Sequence, residues 1–257
     1  MQYIIKNTGE HNFKECVYIC SAVWYLVRVN KSKSRREVFL MSLNKYLDHT
    51  LLKPEATRAE VDKVVKEAKE NDFASVMVNP YWVAHVHAQL KGTDVHTACV
   101  IGFPLGSNAT AIKVAESVKA IEDGVDELDM VLNIGELKGK NYSVVQSDIQ
   151  AVVDEGHAHG KLVKVIIETA LLTKDEIKKA SEITAETKAD FVKTSTGFST
   201  SGAKVEDVKI MKAAVEGTDT QVKASGGIHS KEEAEAMIAA GATRLGVSAS
   251  MKIIGKE

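Results

Sequence analysis

The stretch DFVKTSTGF, Asp190–Phe198, reads in two halves. Phe191 and Val192 favour strand geometry, and Lys193 stands where that strand ends. Thr194 to Gly197 are small, hydroxylated and glycine-bearing, the composition of a tight loop leading into a helix. Side chains alternate along a strand, so Lys193 shares a face with Phe191 and opposes Val192. If that face lines the inside of a barrel, the ammonium is poorly hydrated, its pKa falls and the amine becomes a nucleophile. Read alone, the residue is an ordinary surface lysine at a strand end. The remaining chain has to decide between the two.

Working outward, the same rhythm of strand, loop and helix recurs from Met41 onward. Short β-branched runs lie at 74–78, 95–101, 125–132, 162–167, 191–192, 221–222 and 243–247, and a short eighth strand can be placed at 46–50. Between them, Thr57-x-x-Glu60, Thr173-x-x-Glu176 and Ser230-x-x-Glu233 each match a capping box that opens a helix. Val61, Val64, Val65 and Ala68 supply the apolar stripe of the first. Gly124, Gly217 and Gly241 fall where left-handed C-caps belong. Strands alternating with helices predict a parallel sheet covered by helices. Eight such units predict a single-domain (β/α)8 TIM barrel, an α/β fold, over residues 41–257. The rival is an open doubly wound sheet, but no G-x-G-x-x-G follows the first strand.

Within a barrel, the opening stretch acquires neighbours. Lys193-Thr-Ser-Thr-Gly197 has a near copy at Lys223-Ala-Ser-Gly-Gly227, each following a short apolar run. On adjacent sixth and seventh strands, the two lysines lie side by side at the catalytic mouth, and mutual repulsion sheds a proton from one. On the fourth strand, Glu127, Asp129 and Val131 share the inward face, and Asp129 is placed to move protons at carbon. A structural salt bridge is the other role open to Asp129. Lys164, Ile166 and Glu168 share a face of the fifth strand, so Lys164 either extends the charge network or is solvated. Ser225-Gly226-Gly227 and Gly246-Val247-Ser248, with Gly197, form loops where barrel enzymes often bind phosphate. Asp48-His49-Thr50, at the first strand's end, offers polar groups to the same mouth. His85-x-His87 and His157-x-His159 fall in helical segments, where i and i+2 face nearly opposite ways, so neither pair chelates one metal ion.

Composition sets the outer bounds. The 257 residues are 44% apolar and 26% charged, ordinary for a globular protein with a sizeable core. A net charge of -2 gives no reason to expect nucleic acid as a partner. Three cysteines cannot make a disulfide framework and fit a reducing, cytoplasmic setting. Residues 1–40 stand apart, with seven Lys/Arg against three Asp/Glu. Their apolar run at 16–29 is too short to span a bilayer, and Lys31, Lys33, Arg35 and Arg36 follow it. They are expected to be a dispensable or misassigned extension ahead of a natural start at Met41; the alternative is a weak membrane-surface segment.

The run from about Tyr46 to Ile254 resembles the deoxyribose-phosphate aldolases of bacterial type. LDHTLLKPEAT, VNPYWV, IGFPLGSN, DELDMVLNIG, KVIIET, FVKTSTGF and KASGGI carry the resemblance, in order and spacing. It implies a class I aldolase that reversibly cleaves 2-deoxy-D-ribose 5-phosphate to D-glyceraldehyde 3-phosphate and acetaldehyde, without metal or other cofactor. It implies Lys193 as the Schiff-base lysine, with Lys223 and Asp129 as the partners that lower its pKa and relay protons. Gly197, Gly226, Gly227 and Ser248 take the positions expected to hold the phosphate, with Thr50 and Lys164 joining the substrate-binding set. It also implies a homodimer. The chain departs from the pattern at Met77, Phe198 and Ala249 and in its short end at Glu257, changes that bear on phosphate affinity and turnover. Two other readings stay open: another Schiff-base barrel enzyme, such as a transaldolase or keto-acid aldolase, and a non-enzymatic phosphate-binding barrel.

Overall fold

In the computed structural model, residues 3–6, 13–20, 23–30 and 43–256 are described. The chain divides into two units, residues 1–43 and 44–257. In the first, β1 (Tyr3–Lys6), β2 (Phe13–Cys20) and β3 (Val23–Asn30) form an antiparallel sheet in that order. The apolar run 16–29 is therefore split between two paired strands. The basic cluster from Lys31 to Arg36 and the expected start at Met41 lie outside the described residues.

The second unit is a closed barrel of eight parallel strands. They are β4 (Leu47–Leu51), β5 (Ser75–Val78), β6 (His96–Ile101), β7 (Glu127–Val131), β8 (Leu162–Ile166), β9 (Phe191–Lys193), β10 (Gln221–Ser225) and β11 (Arg244–Val247). β11 closes onto β4, and each strand pairs with its neighbour in sequence. The main helices between and after the strands are α1 (Arg58–Asn71), α2 (Val83–Leu90), α3 (Thr110–Glu122), α4 (Ile134–Lys138), α5 (Tyr142–Ala158), α6 (Lys174–Glu186), α7 (Val205–Ala214), α8 (Lys231–Ala239) and α9 (Ser250–Ile253). Thr57, Thr173 and Ser230 each close the expected capping box, at α1, α6 and α8. Gly124, Gly217 and Gly241 have positive φ, as a left-handed helix exit requires.

Both faces of the barrel strands are buried, which is why they read as β-branched runs rather than as alternating patterns. The outward face packs on helices. A Cβ on Gly156 of α5 would stand 2.5 Å from Val163 and 3.6 Å from Leu128, so the helix lies directly on β7 and β8. The inward face divides by chemistry. Leu52, Met77, Ala98 and Val100 form an apolar cluster from β5, β6 and the segment just beyond β4, with Phe103 packed on it. On the remaining strands, the interior is charged. Asp48, Glu127, Asp129, Lys164 and Lys223 are all fully buried. β10 runs through Ser225, further than the sequence run indicates, so Lys223 sits inside a strand and not past its end.

Candidate active site

Lys193 is the last residue of β9, and strand pairing places Lys223 directly beside it. Both ammonium groups donate to one oxygen, Asp129 Oδ2, at 2.8 Å from Lys193 and 2.7 Å from Lys223. Asp129 Oδ1 accepts from Lys164 at 2.6 Å. Lys164 also meets Glu127 at 2.5 Å, and Lys223 bonds to Asp48. Arg244 closes the ring by donating to Asp48 Oδ1 at 2.7 Å and to Glu127. His96 reaches Glu127 from the other end of the barrel at 2.7 Å.

Three carboxylates thus face four lysine and arginine side chains, an excess of one positive charge that loss of one proton removes. Lys193 is the group placed to lose it. Burial is the largest influence on this lysine and, with the Lys223 ammonium, pulls its pKa from 10.5 down to about 8. Asp129 acts the other way, because a carboxylate in contact favours the ammonium. The expectation that Asp129 helps to lower the pKa of Lys193 is thereby corrected: the depression comes from burial and from Lys223. Burial would raise Asp129, but Lys164, Lys193 and Lys223 outweigh it and hold the carboxyl far below its usual range. Lys164 is shifted in the opposite sense to Lys193: burial lowers it, but Asp129, Glu127 and Asp48 overcome that and hold it firmly protonated.

Above Lys193 opens a cavity of about 370 Å³ at the C-terminal ends of β9, β10, β11 and β4. Lys193, Gly197, Gly226, Gly227, Ser248 and Thr50 all line it, which brings the expected substrate-binding residues together except for Lys164. Lys164 is fully buried beyond Asp129 and does not reach the cavity. Its place is in the charge network, and its assignment to the substrate-binding set is corrected accordingly. Asp48-His49-Thr50 divides three ways. Asp48 points into the ring, and Thr50 reaches the mouth. His49 faces outward between Glu67 and Ser250, each at 2.8 Å, with its ring against Phe73.

The two K-x-S-x-G segments are physically joined. Thr194 Oγ1 donates to Ser225 O at 3.1 Å and accepts from Ser225 N at 3.0 Å. Ser225 Oγ in turn donates to Ser195 O at 2.6 Å. Beyond them, Gly226 at φ +79° passes so close to Gly202 that a Cβ on Gly202 would lie 2.1 Å from Gly226 O. Gly246 makes room for the second lysine, since a Cβ there would stand 3.2 Å from Lys223 Cε and 3.0 Å from Ser225 Cβ.

The model of the DeoC/LacD family aldolases matches residues 43–254. The chain belongs to that family. The deoxyribose-phosphate aldolase of Lactiplantibacillus plantarum is 72% identical over 216 residues, covering 84% of this chain and all of that protein. The deoxyribose-phosphate aldolase of Clostridium novyi is 58% identical over 215 residues, covering 83% of this chain and 96% of that one. Among solved structures, the tetrameric deoxyribose phosphate aldolase of Aeropyrum pernix superposes with a TM-score of 0.77 at 29% identity. That match covers 86% of this chain and 97% of the other.

Three residues of the aldolase site were given no role by sequence reasoning, although Glu168 was placed on the Lys164 face. Arg244 carries a signal in hindsight, because it precedes the inward Gly246 by two on the same strand and so shares its face. Glu168 takes a left-handed conformation at φ 55° and, almost fully buried, accepts from the Thr196 hydroxyl and from Thr196 N at 3.3 Å. It anchors the loop that follows Lys193. Gly202 is recognisable only from its contact with Gly226, across a loop whose path the sequence does not encode locally.

Proposed function

We propose that this protein is a class I aldolase whose substrate is 2-deoxy-D-ribose 5-phosphate, cleaved reversibly to D-glyceraldehyde 3-phosphate and acetaldehyde. The observation that carries the reading is a lysine amine near neutrality, Lys193, at the floor of a cavity whose lining includes no acidic side chain. An uncharged amine attacks a carbonyl, whereas an ammonium does not. Its lone pair adds to the C1 aldehyde, and loss of water gives an iminium. With the 3-hydroxyl proton removed, the C2–C3 electrons move into the iminium, releasing glyceraldehyde 3-phosphate and leaving an enamine. Protonation at C2 and hydrolysis return acetaldehyde and the free amine.

Asp129 fits this sequence in a specific way. Its carboxyl is held too low to keep a proton, so it passes protons on and otherwise stays an anion. An anion at 2.8 Å from Lys193 Nζ is suited to stabilise the iminium that forms on that nitrogen. Lys223, bonded to the same carboxylate oxygen, is the neighbour we assign to proton relay. Gly197, Gly226, Gly227 and Ser248 are assigned to the phosphate, through backbone N–H groups in loops open to the cavity. Thr50 lines the opposite side of the same space.

None of the described helices is long and apolar enough to cross a membrane. We place the activity in the cytoplasm and in a homo-oligomer, the latter supported by the tetrameric relative. Reduction with borohydride in the presence of acetaldehyde tests the chemistry directly. A two-carbon adduct is expected on Lys193 by mass spectrometry, with Lys193→Leu folded but inactive; an unmodified Lys193 would refute the assignment.

A further inference from the structure

The phosphate-facing loops are flanked unequally. The cavity lies beneath the loops after four consecutive barrel strands, β9, β10, β11 and β4, with the glycine loops in the middle. On the β9 flank stands Phe198, about half exposed, edge-on to Phe103 with ring centroids 5.3 Å apart. The Phe198 side chain is apolar, so beyond the backbone of Gly197 this loop brings no charge to an anion. On the β4 flank stands Lys53, two residues beyond the strand, exposed and lining the cavity. Lys193 is committed to Asp129 below, whereas Lys53 makes no salt bridge among the described residues; its charge only adds to the Thr57 bonds that hold the exposed Glu60 below its usual range.

The backbone holds Lys53 in place. Ala56 N donates to Lys53 O at 3.2 Å, closing a four-residue turn with Pro54 at its second position, where the ring fixes φ. The next residue, Thr57, is the N-cap of α1, locked by its capping box. Lys53 is therefore pinned between the end of a barrel strand and a capped helix, so little backbone entropy is lost when it engages a ligand.

We propose that Lys53 is a specificity-determining residue that supplies a cationic side-chain contact to the phosphate end of the substrate. The proposal rests on the aldolase reading above. It assigns to the β4 flank the charge that the Phe198 flank lacks, and it leaves the chemistry at Lys193 untouched, since Lys53 takes no part in the buried ring.

The test compares two substrates in the full-length protein and in Lys53→Met and Lys53→Arg. 2-Deoxyribose 5-phosphate carries the dianion, and 2-deoxyribose does not. In Lys53→Met, the preference for the phosphorylated substrate, as a ratio of kcat/KM, should fall roughly tenfold through KM, as expected for loss of a charged hydrogen bond. Inorganic phosphate should weaken as a competitive inhibitor by a similar factor, and Lys53→Arg should retain most of the preference. An unchanged ratio in Lys53→Met, or an equal loss on both substrates, overturns the role of Lys53. Failure of the unaltered protein to cleave 2-deoxyribose 5-phosphate would instead overturn the aldolase reading, so the two failures are told apart.

Discussion

The proposed nucleophile, Lys193, feels three influences that lower its pKa, burial first and then Lys223 and Lys164, and one, Asp129, that opposes them. With a pKa of about 8, roughly a tenth of the lysine is free amine at pH 7; at 10.5 the fraction would be about three in ten thousand. The gain is a few hundredfold in nucleophile. Neighbour substitutions should therefore move the acid limb of Schiff-base formation in opposite directions. Lys223→Met removes a like charge, which favours the Lys193 ammonium, raises its pKa and shifts the limb to higher pH. Asp129→Asn removes the carboxylate that favours the ammonium, so the limb shifts to lower pH, while turnover falls because the iminium loses its counter-ion. The measurement is the rate of borohydride-trapped acetaldehyde adduct against pH in the three proteins. Shifts of the same sign would show that the ring does not act on Lys193 as described. At this scale the sequence was informative about identity and poor on sign. The alternation rule placed Phe191, Lys193, Glu127 and Asp129 on inward faces, because strand geometry alone decides that. Which way burial, the neighbouring lysines and Asp129 together move Lys193 depends on burial and on separations of under 3 Å, which no pattern encodes.

The unit that positions the proposed nucleophile is the pair β9–β10 with its cross-links. β9 has only three residues, so it has little ladder of its own to fix its end. Thr194 compensates by bonding both the N–H and the C=O of Ser225 from a fully buried position. Thr194→Val keeps the shape but leaves the buried Ser225 N–H without its partner, while Ser225 O keeps its bond from Ala203 N at 3.1 Å. The expected cost is about 1–3 kcal/mol in urea unfolding, accompanied by a lower kcat as Lys193 and Lys223 lose their fixed spacing. Thr194→Ser, which restores the hydroxyl, should recover most of both; equal behaviour of the two variants would exclude the bracing role. Seven of the eight strands were legible as short β-branched runs, each flanked by a helix whose start is marked by a capping residue or whose exit is marked by a glycine, and β4 by its place before the capped α1. Their ends were less so: β10 extends through Lys223-Ala224-Ser225, residues without strand preference that pair because β9 and β11 lie on either side. The braces across the loops join residues about thirty apart and appear only once the barrel closes.

For the whole molecule, the buried ring ties stability to pH. Asp48, Glu127 and Asp129 are fully buried, and their cationic partners hold all three carboxyls below the ordinary range, Glu127 at about 2. A carboxyl lower in the folded state than in the unfolded state adds stability above its unfolded pKa, and that stability is lost as pH falls toward the folded value. The window for Glu127 runs from about 4.5 down to about 2, and the other two carboxyls extend it downward. Lys193 works in a different window, above about pH 8, where its depressed pKa makes the fold gain stability as pH rises toward 10.5, so it does not blur the acid one. The unfolding free energy should thus fall by on the order of a few kcal/mol between pH 5 and pH 3. Glu127→Gln supplies the control. At pH 7 it leaves Lys164 and Arg244 short of a counter-charge and should cost about 3–5 kcal/mol. That deficit should narrow as pH drops below about 4.5, because the unfolded state of the unaltered protein then takes up a proton that folded Glu127, with its pKa of about 2, does not. Urea unfolding of both proteins at pH 7, 5, 4 and 3 measures the convergence. Parallel curves would mean that Glu127 is not the anion that the ring geometry requires, and that four cations share two carboxylates in the folded barrel.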